Sequence, residues 1–309
     1  MAKINISIKR IITLIFIMAL LISTGGIGYL IFSGWLSSTK ELSESMLEEI
    51  SIDIYEKINS FLFIPYHINE WNYNMIEKGI FDFDNEEVRD KFFVNVLDSH
   101  DKEVYSFSYG SSKGEYYGAR RNEEGDIEIM RNNAMTGGHS WYYSINEDMT
   151  AKKLAVKAGK FDPRTRDWYK VVEESKKPSF SPIYEHFIMK DLTISFGWPI
   201  YKDEKLQGVL GSHILLSEVG SFLHDTIEKY KGYALIIEKD TGQLVANSMG
   251  LNNFSYLPDG SLLRHKICDI ENNSIRNICK NYEENGLPKF TYEDRKERFL
   301  VNTKEVEIE

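Results

Sequence analysis

Cysteine, positive charge and catalytic signatures are scarce in this sequence. Only Cys268 and Cys279 occur among 309 residues. They form no metal-ligand pattern; outside the membrane they could join as a disulfide or stand as two thiols, and the sequence leaves both open. Lysine and arginine total 37 against 47 acids, a net charge of −10. No basic patch offsets phosphate repulsion, so nucleic acid is not an expected partner. There is no H-E-x-x-H, no P-loop and no credible catalytic triad, which weighs against a membrane-anchored hydrolase. Gly110–Ser111–Ser112–Lys113–Gly114 has the G-x-S-x-G form. That motif needs a buried parallel strand before it and a helix after it. Strand-like residues stand on both sides here, so a hairpin turn fits better and Ser112 is not read as a nucleophile. No cofactor is expected.

One region lacks charge altogether. From Ile11 no charged side chain appears until Lys40, and Ile11–Ser23 and Ile27–Phe32 are almost wholly apolar. A bilayer requires about 20 such residues in a helix. A secretory signal would have a shorter core and a small-residue cleavage site. Residues 11–36 therefore read as an uncleaved transmembrane helix. Residues 1–10, with Lys3, Lys9 and Arg10, form its cytoplasmic flank. Trp35 suits an interfacial anchor.

Beyond it, Met46, Ile50, Ile54, Ile58 and Phe61 recur every three or four residues. That spacing marks one face of a long amphipathic helix over 37–79, which Pro65 is expected to kink or interrupt. Such a stalk suits a homodimer seam, packing on its own domain, or both. After Gly79 the pattern changes. Phe92–Leu97 is buried helix or strand. Val104–Tyr109, Tyr116–Arg120, Ile127–Arg131 and Trp141–Ile145 read as short strands, and Thr193–Tyr201 with Leu206–Ile214 as a closing hairpin. Residues 217–230 read as a helix. Tyr233–Ile237 and Gln243–Asn247 flank a Lys239–Gly242 turn. Irregular sequence follows to about Asn285, then a hairpin of Lys289–Tyr292 and Arg298–Asn302. Aromatics at 13% favour sheet with pockets over a plain helical bundle. The fold class is thus α+β.

The most informative stretch is Phe161–Asp162–Pro163–Arg164–Thr165–Arg166–Asp167–Trp168–Tyr169. Pro163 fixes a turn and pushes Asp162 away from helical angles. Glu173–Lys177 points to a short helix after the aromatic pair. Arg166, Trp168 and Tyr169 then stand where a loop enters a helix. A guanidinium there can hold a carboxylate by two parallel hydrogen bonds, with the rings walling a small pocket. Ordinary packing, with the aromatics as core anchors and the arginine in a surface ion pair, is the alternative.

The run from Asp162 to Tyr169 resembles the signature of double-Cache sensor domains, the extracellular ligand-binding modules of bacterial chemoreceptors, sensor histidine kinases and diguanylate cyclases. The likeness continues through Phe180–Ser181–Pro182–Ile183–Tyr184, Trp198–Pro199–Ile200–Tyr201 and Gly208–Val209–Leu210–Gly211–Ser212–His213–Ile214. It covers about a third of the chain.

It implies two PAS-like antiparallel-sheet lobes carried on the stalk helix. The membrane-distal lobe, 80–216, would bind ligand. The membrane-proximal lobe, 217–309, would be incomplete, with a second membrane span expected beyond residue 309. In the amino-acid-binding branch the motif arginine and tryptophan hold the ligand carboxylate; Arg166 and Trp168 match them, and Tyr169 and Tyr184 match neighbouring tyrosines. Phe161 stands where that branch has a tyrosine. His186 and His213 stand where it has two aspartates that hold the ligand's ammonium group. Neutral histidine offers at most one acceptor and charged histidine repels a cation, so the set fits an anion such as a carboxylate or dicarboxylate. The histidines could instead be structural, or bind a metal, although no third ligand appears.

The implied function is extracellular sensing of a small molecule, with the signal passed across the membrane. An ectodomain for adhesion or protein interaction is the alternative. If the two histidines meet an anion, binding should strengthen as pH falls through about 6.5, the ordinary imidazole range. The charge asymmetry also predicts topology: a reporter fused at Ser45 should be active only when it is of the type that functions outside the cytoplasm, and activity of a cytoplasmic-type reporter there would contradict it.

Overall fold

The structure is a computed structural model that describes residues 8–81, 83, 85–100, 104–294 and 297–308. It begins with one helix, α1 (Ile8–Glu77), where the sequence reading placed a membrane helix and a separate stalk. Its N-terminal stretch is the one described helix long and apolar enough to cross a membrane. Pro65 does not interrupt it. Proline removes one backbone N–H from the ladder, but Ile58, Phe61, Pro65, Ile68, Asn69 and Asn72 form a buried stripe that keeps the helical path. The Asn69 side-chain amide also donates to the Phe196 carbonyl at 2.8 Å.

The chain divides into two compact units. The first takes residues up to 52 together with 288–303. In it β14 (Lys289–Glu293) and β15 (Arg298–Asn302) form the expected hairpin, Lys289 pairs with Glu48, and the Asn302 amide donates to Glu48 at 3.1 Å.

The second unit, 53–287 with 304–309, holds the main sheet. In chain order its elements are α2 (Glu86–Asp98), β1 (Ser106–Ser111), β2 (Tyr116–Arg121), β3 (Ile127–Asn132), β4 (His139–Ile145), β5 (Ala151–Lys160), α3 (Asp167–Ser175), β6 (Ser179–Phe180), β7 (Tyr184–Glu185), β8 (Leu192–Lys202) and β9 (Lys205–Leu215). The nine strands are antiparallel in the order β5-β4-β3-β2-β1-β9-β8-β6, with β7 also on β8. Phe92–Leu97 resolves as helix α2, started by the Asn85 side chain accepting from the Val88 N–H. Strand β5 escapes a sequence reading because Lys152, Lys153, Lys157 and Lys160 break its apolar pattern; it lies at the sheet edge, where lysines discourage further pairing. Residues 110–114 form the β1–β2 hairpin, as the sequence requires.

Period-two alternation gives the sheet two different faces. Phe107, Tyr109, Tyr117, Ala119, Ile127, Ile129 and Leu210 pack with Ile68 of α1 and Phe93, Val94 and Leu97 of α2. On the other face Tyr116, Met130, Tyr142 and Val209 pack with Trp168, Tyr169 and Val172 of α3. Helix α3 can come this close because the strands beneath it carry glycine. A Cβ built on Gly197 would lie 2.5 Å from Val172 Cγ2 and 2.8 Å from the Trp168 carbonyl oxygen; one on Gly110 would lie 2.7 Å from Pro163 Cβ.

The remaining elements are α4 (Leu216–Ile227), the hairpin β10 (Leu235–Ile237) and β11 (Leu244–Asn247), a second hairpin β12 (Phe254–Tyr256) and β13 (Leu262–Arg264), and α5 (Asn273–Asn285). The last three elements fall where the sequence reads as irregular. Helix α5 carries five asparagines, counting its cap Asn272, yet Asn272 caps Ile275 and the helix buries Ile275 and Cys279 against Leu244, Ile267 and Ile270. Cys268 and Cys279 are both free thiols.

Gly197→Ala should therefore cost about 1–3 kcal/mol by forcing α3 off the sheet. Gly232→Ala, where a Cβ meets nothing within 4 Å, should change stability by less than about 0.5 kcal/mol. Denaturant unfolding of the purified protein compares them; equal effects would refute the close-packing argument.

Candidate functional site

The 162–169 segment assembles from its own local chemistry. The Asp162 carboxylate accepts from the Arg164 backbone N–H at 3.0 Å and its carbonyl accepts from the Thr165 hydroxyl at 2.8 Å. This caps a 3-10 turn, Pro163–Thr165, that begins on proline. Asp162 is extended at φ −120° and ψ 114°, as a residue before proline must be. Arg164 turns back onto Asp162 in a 2.6 Å ion pair and donates to the Ser112 carbonyl at 3.3 Å. Arg166 precedes α3 and has a different fate. Its Nη2 donates to the Glu185 carbonyl at a long 3.5 Å, and among the described residues no carboxylate lies within ion-pair distance. Its guanidinium lies 5.6, 5.9 and 5.8 Å from the ring centres of Phe161, Tyr184 and Phe187.

These residues line a small cavity of about 20 Å³ with Trp168, His186, His213, Tyr116, Met130 and Tyr142. Six of the seven residues singled out from the sequence thus meet: Phe161, Arg166, Trp168, Tyr184, His186 and His213. Tyr169 does not line the cavity; it is buried on the far side of Trp168, ring centres 5.8 Å apart. Tyr116, Met130, Tyr142 and Phe187 were not anticipated. The first three sit at one-face positions of β2, β3 and β4, a period-two signal that becomes a site only when strand order is known.

His213 lies opposite Ser195 on β8 and Ser106 on β1. Its Nε2 is 2.8 Å from the Ser108 hydroxyl and its Nδ1 is 2.7 Å from the Ser195 hydroxyl, which is in turn 2.8 Å from the Tyr184 hydroxyl. Both ring nitrogens are committed inside the sheet. His186 differs. Its Nδ1 accepts from the backbone N–H groups of Ile188 and Met189 at 3.3 and 3.2 Å. The neutral ring must then carry its proton on Nε2, for which no partner occurs among the described residues. The ring edge packs on Tyr105 at 4.8 Å.

Charge is distributed strictly. Arg120 and Glu128 face each other across β2 and β3 and are fully buried, with guanidinium-to-carboxylate bonds of 3.0 and 2.7 Å; Arg120 also lies 3.8 Å from the Tyr142 ring centre and donates to the Tyr105 hydroxyl at 3.3 Å. Burial depresses His186 to about 3, helped by the charges of His213, Arg120 and Arg166. Burial likewise depresses His213 to about 3, helped by Arg166. Both imidazoles are neutral at physiological pH. That corrects the expectation of an affinity rising through pH 6.5: neither ring gains a proton there. Burial raises the phenols of Tyr116, Tyr142 and Tyr184, which stay protonated. No cluster of three metal-ligating side chains occurs among the described residues.

Residues 125–221, spanning β3 to the start of α4, match the family described as methyl-accepting chemotaxis protein-like, first PDC sensor domain. This segment is similar to the sensor domains of chemoreceptors. The match encloses the 162–169 motif and bears out the likeness to Cache sensors. Solved chemoreceptor domains are also similar to the chain. The ligand-binding domain of Campylobacter jejuni Tlp3 with 4-methylisoleucine is 15% identical, covering 82% of this chain and 81% of its own, with a TM-score of 0.47. That of the Pseudomonas aeruginosa amino-acid chemoreceptor PctC with GABA is 15% identical over 84% and 91%, at 0.49. That of Pseudomonas fluorescens CtaA with L-alanine is 16% identical over 84% and 88%, at 0.47. No curated protein matches the chain.

Fully buried His213 and half-buried His186 make stability depend on pH. Each has a folded pKa near 3 and an unfolded value near 6.5, so the unfolded chain takes up protons first and stability falls as pH drops from about 6.5 toward 3. Within that window each contributes a slope of up to about 1.4 kcal/mol per pH unit. His186→Gln should flatten the unfolding free energy between pH 6 and pH 5 by roughly 1 kcal/mol relative to wild type. Parallel curves would mean that His186 titrates as an exposed imidazole.

Proposed function

We propose that this chain is the extracellular sensing module of a bacterial transmembrane receptor, and that it binds a small carboxylate-containing molecule in the cavity lined from β2, β3, β4, α3, β9 and the residues around β7, without transforming it. The observation that carries this reading is Arg166: a half-buried guanidinium at the mouth of α3, walled by three aromatic rings, with no carboxylate of its own. A cation held so, out of bulk water, favours an anion that accepts two of its N–H groups. The two serine hydroxyls that contact His213, those of Ser108 and Ser195, are fully buried in the sheet and do not line the cavity. The apolar part of α1 would anchor the module, with Ser37 onward outside, and the module would act as a homodimer.

Arg166→Ala should abolish binding of the natural ligand with the fold retained. Loss of such a charged contact costs about 2–5 kcal/mol, or roughly 30-fold to several thousand-fold in affinity. Calorimetry on the purified protein, with ligands taken from a thermal-shift screen of metabolites, gives the result. Unchanged affinity for the variant would place the site elsewhere.

A further inference from the structure

The cavity's charge inventory narrows its ligand, on the reading that Arg166 marks the binding site. Its lining has one cation, Arg166, and no aspartate or glutamate. Glu128, a buried acid of the sheet, is already paired with Arg120. We infer that the site takes a short carboxylic acid of single negative charge that bears no ammonium group.

A desolvated ammonium needs a counter-charge, and no aspartate or glutamate lines the site. Two of the lining's polar groups can only donate: Arg166, and the Nε2–H of His186, whose Nδ1 is consumed by the 188 and 189 backbone N–H groups. The hydroxyl of Tyr184 is shared with Ser195. Aromatic faces could hold a cation instead. Yet the rings of Phe161, Tyr184 and Phe187 already face Arg166, and Tyr142 faces Arg120 at 3.8 Å. A bound ammonium would be stripped of water beside the Arg166 guanidinium with no acid in the lining to offset it. The histidines supply no countercharge either, being neutral.

A second carboxylate fails for the mirror reason. Only one cation lines the cavity, and a dianion would leave one charge desolvated without a partner. Size points the same way. The cavity is small, about 20 Å³, which favours a short acid over a long one.

Four three-carbon acids test this: propionate, L-lactate, L-alanine and malonate. They carry hydrogen, hydroxyl, ammonium and a second carboxylate on nearly the same frame. Each is titrated calorimetrically into the full chain in detergent, wild type and Arg166→Ala. Propionate, L-lactate or both should bind the wild type, with L-alanine and malonate at least tenfold weaker, and Arg166→Ala should lose the signal. His186→Asp, which sets a carboxylate beside Arg166, should weaken the monoacid at least tenfold. L-alanine or malonate binding as tightly as the monoacids, in an Arg166-dependent way, would overturn the inference and leave the sensor reading in place. If none of the four binds but a metabolite screen yields an Arg166-dependent ligand, the inference also falls and the sensor reading stands. If no binding depends on Arg166, both fall.

Discussion

The close seating of α3 on the sheet is the constraint from which the rest of the site follows. Trp168 is fully buried, and the strands beneath it present Gly110, Gly197 and Gly211 where any side chain would collide with Pro163, Val172 or Trp168 itself. Because the helix lies that low, its first residue brings Arg166 over the sheet beside Phe161, Tyr184 and Phe187. The same packing sets the Trp168 ring edge-on to His213 at 5.3 Å and closes the cavity from one side. Glycine gives up side-chain contacts at these positions, and the return is a backbone approach no other residue permits.

Electrostatics within that frame divides into what is settled and what is left open. Arg164 is answered by Asp162, Arg120 by Glu128, and Arg131 by Asp90 and Glu86. Arg166 is not answered by an acid. A buried charge without a partner is costly, and its persistence at a pocket mouth is a mark of function more than of stability. The histidines, which look like further positive charge in the sequence, are instead neutral parts of the wall. His213 is a crosslink among β1, β8 and β9 through Ser108 and Ser195, and His186 is a turn residue with one donor to spare. Glu185, in β7, immediately precedes His186. Its carbonyl accepts from Arg166 and its carboxylate accepts from the Tyr256 hydroxyl on β12, so the cavity rim is tied by hydrogen bonds to the segment after β9.

Features governed by neighbours along the chain were legible in the sequence. The apolar run before Lys40, the three-and-four spacing from Met46 to Phe61, the tight turns at 110–114 and 239–242, and the Asp162–Pro163 cap all report local energetics, and each appears in the structure. The motif 162–169 was enough to point to the family and to Arg166. Local rules failed where packing overrode propensity. Pro65 lost its power to break a helix whose face was buried; the lysines of β5 and the asparagines of α5 hid elements that hold because the neighbouring strand or the Leu244 cluster completes them.

Only the tertiary structure could decide the composition of the cavity, because its lining comes from β2, β3, β4, α3, β9 and the residues around β7, which are far apart in sequence and meet through strand order. It also decided protonation. A histidine's type is written in the sequence, but its charge depends on how much water it loses and which cations stand nearby, and here burial beside Arg166 removes the charge. The sequence by itself determined a membrane-type helix, an antiparallel sensor sheet and one motif arginine. The fold decided that this arginine stands alone: it is the only cation among the residues lining the cavity, and no acid lines it.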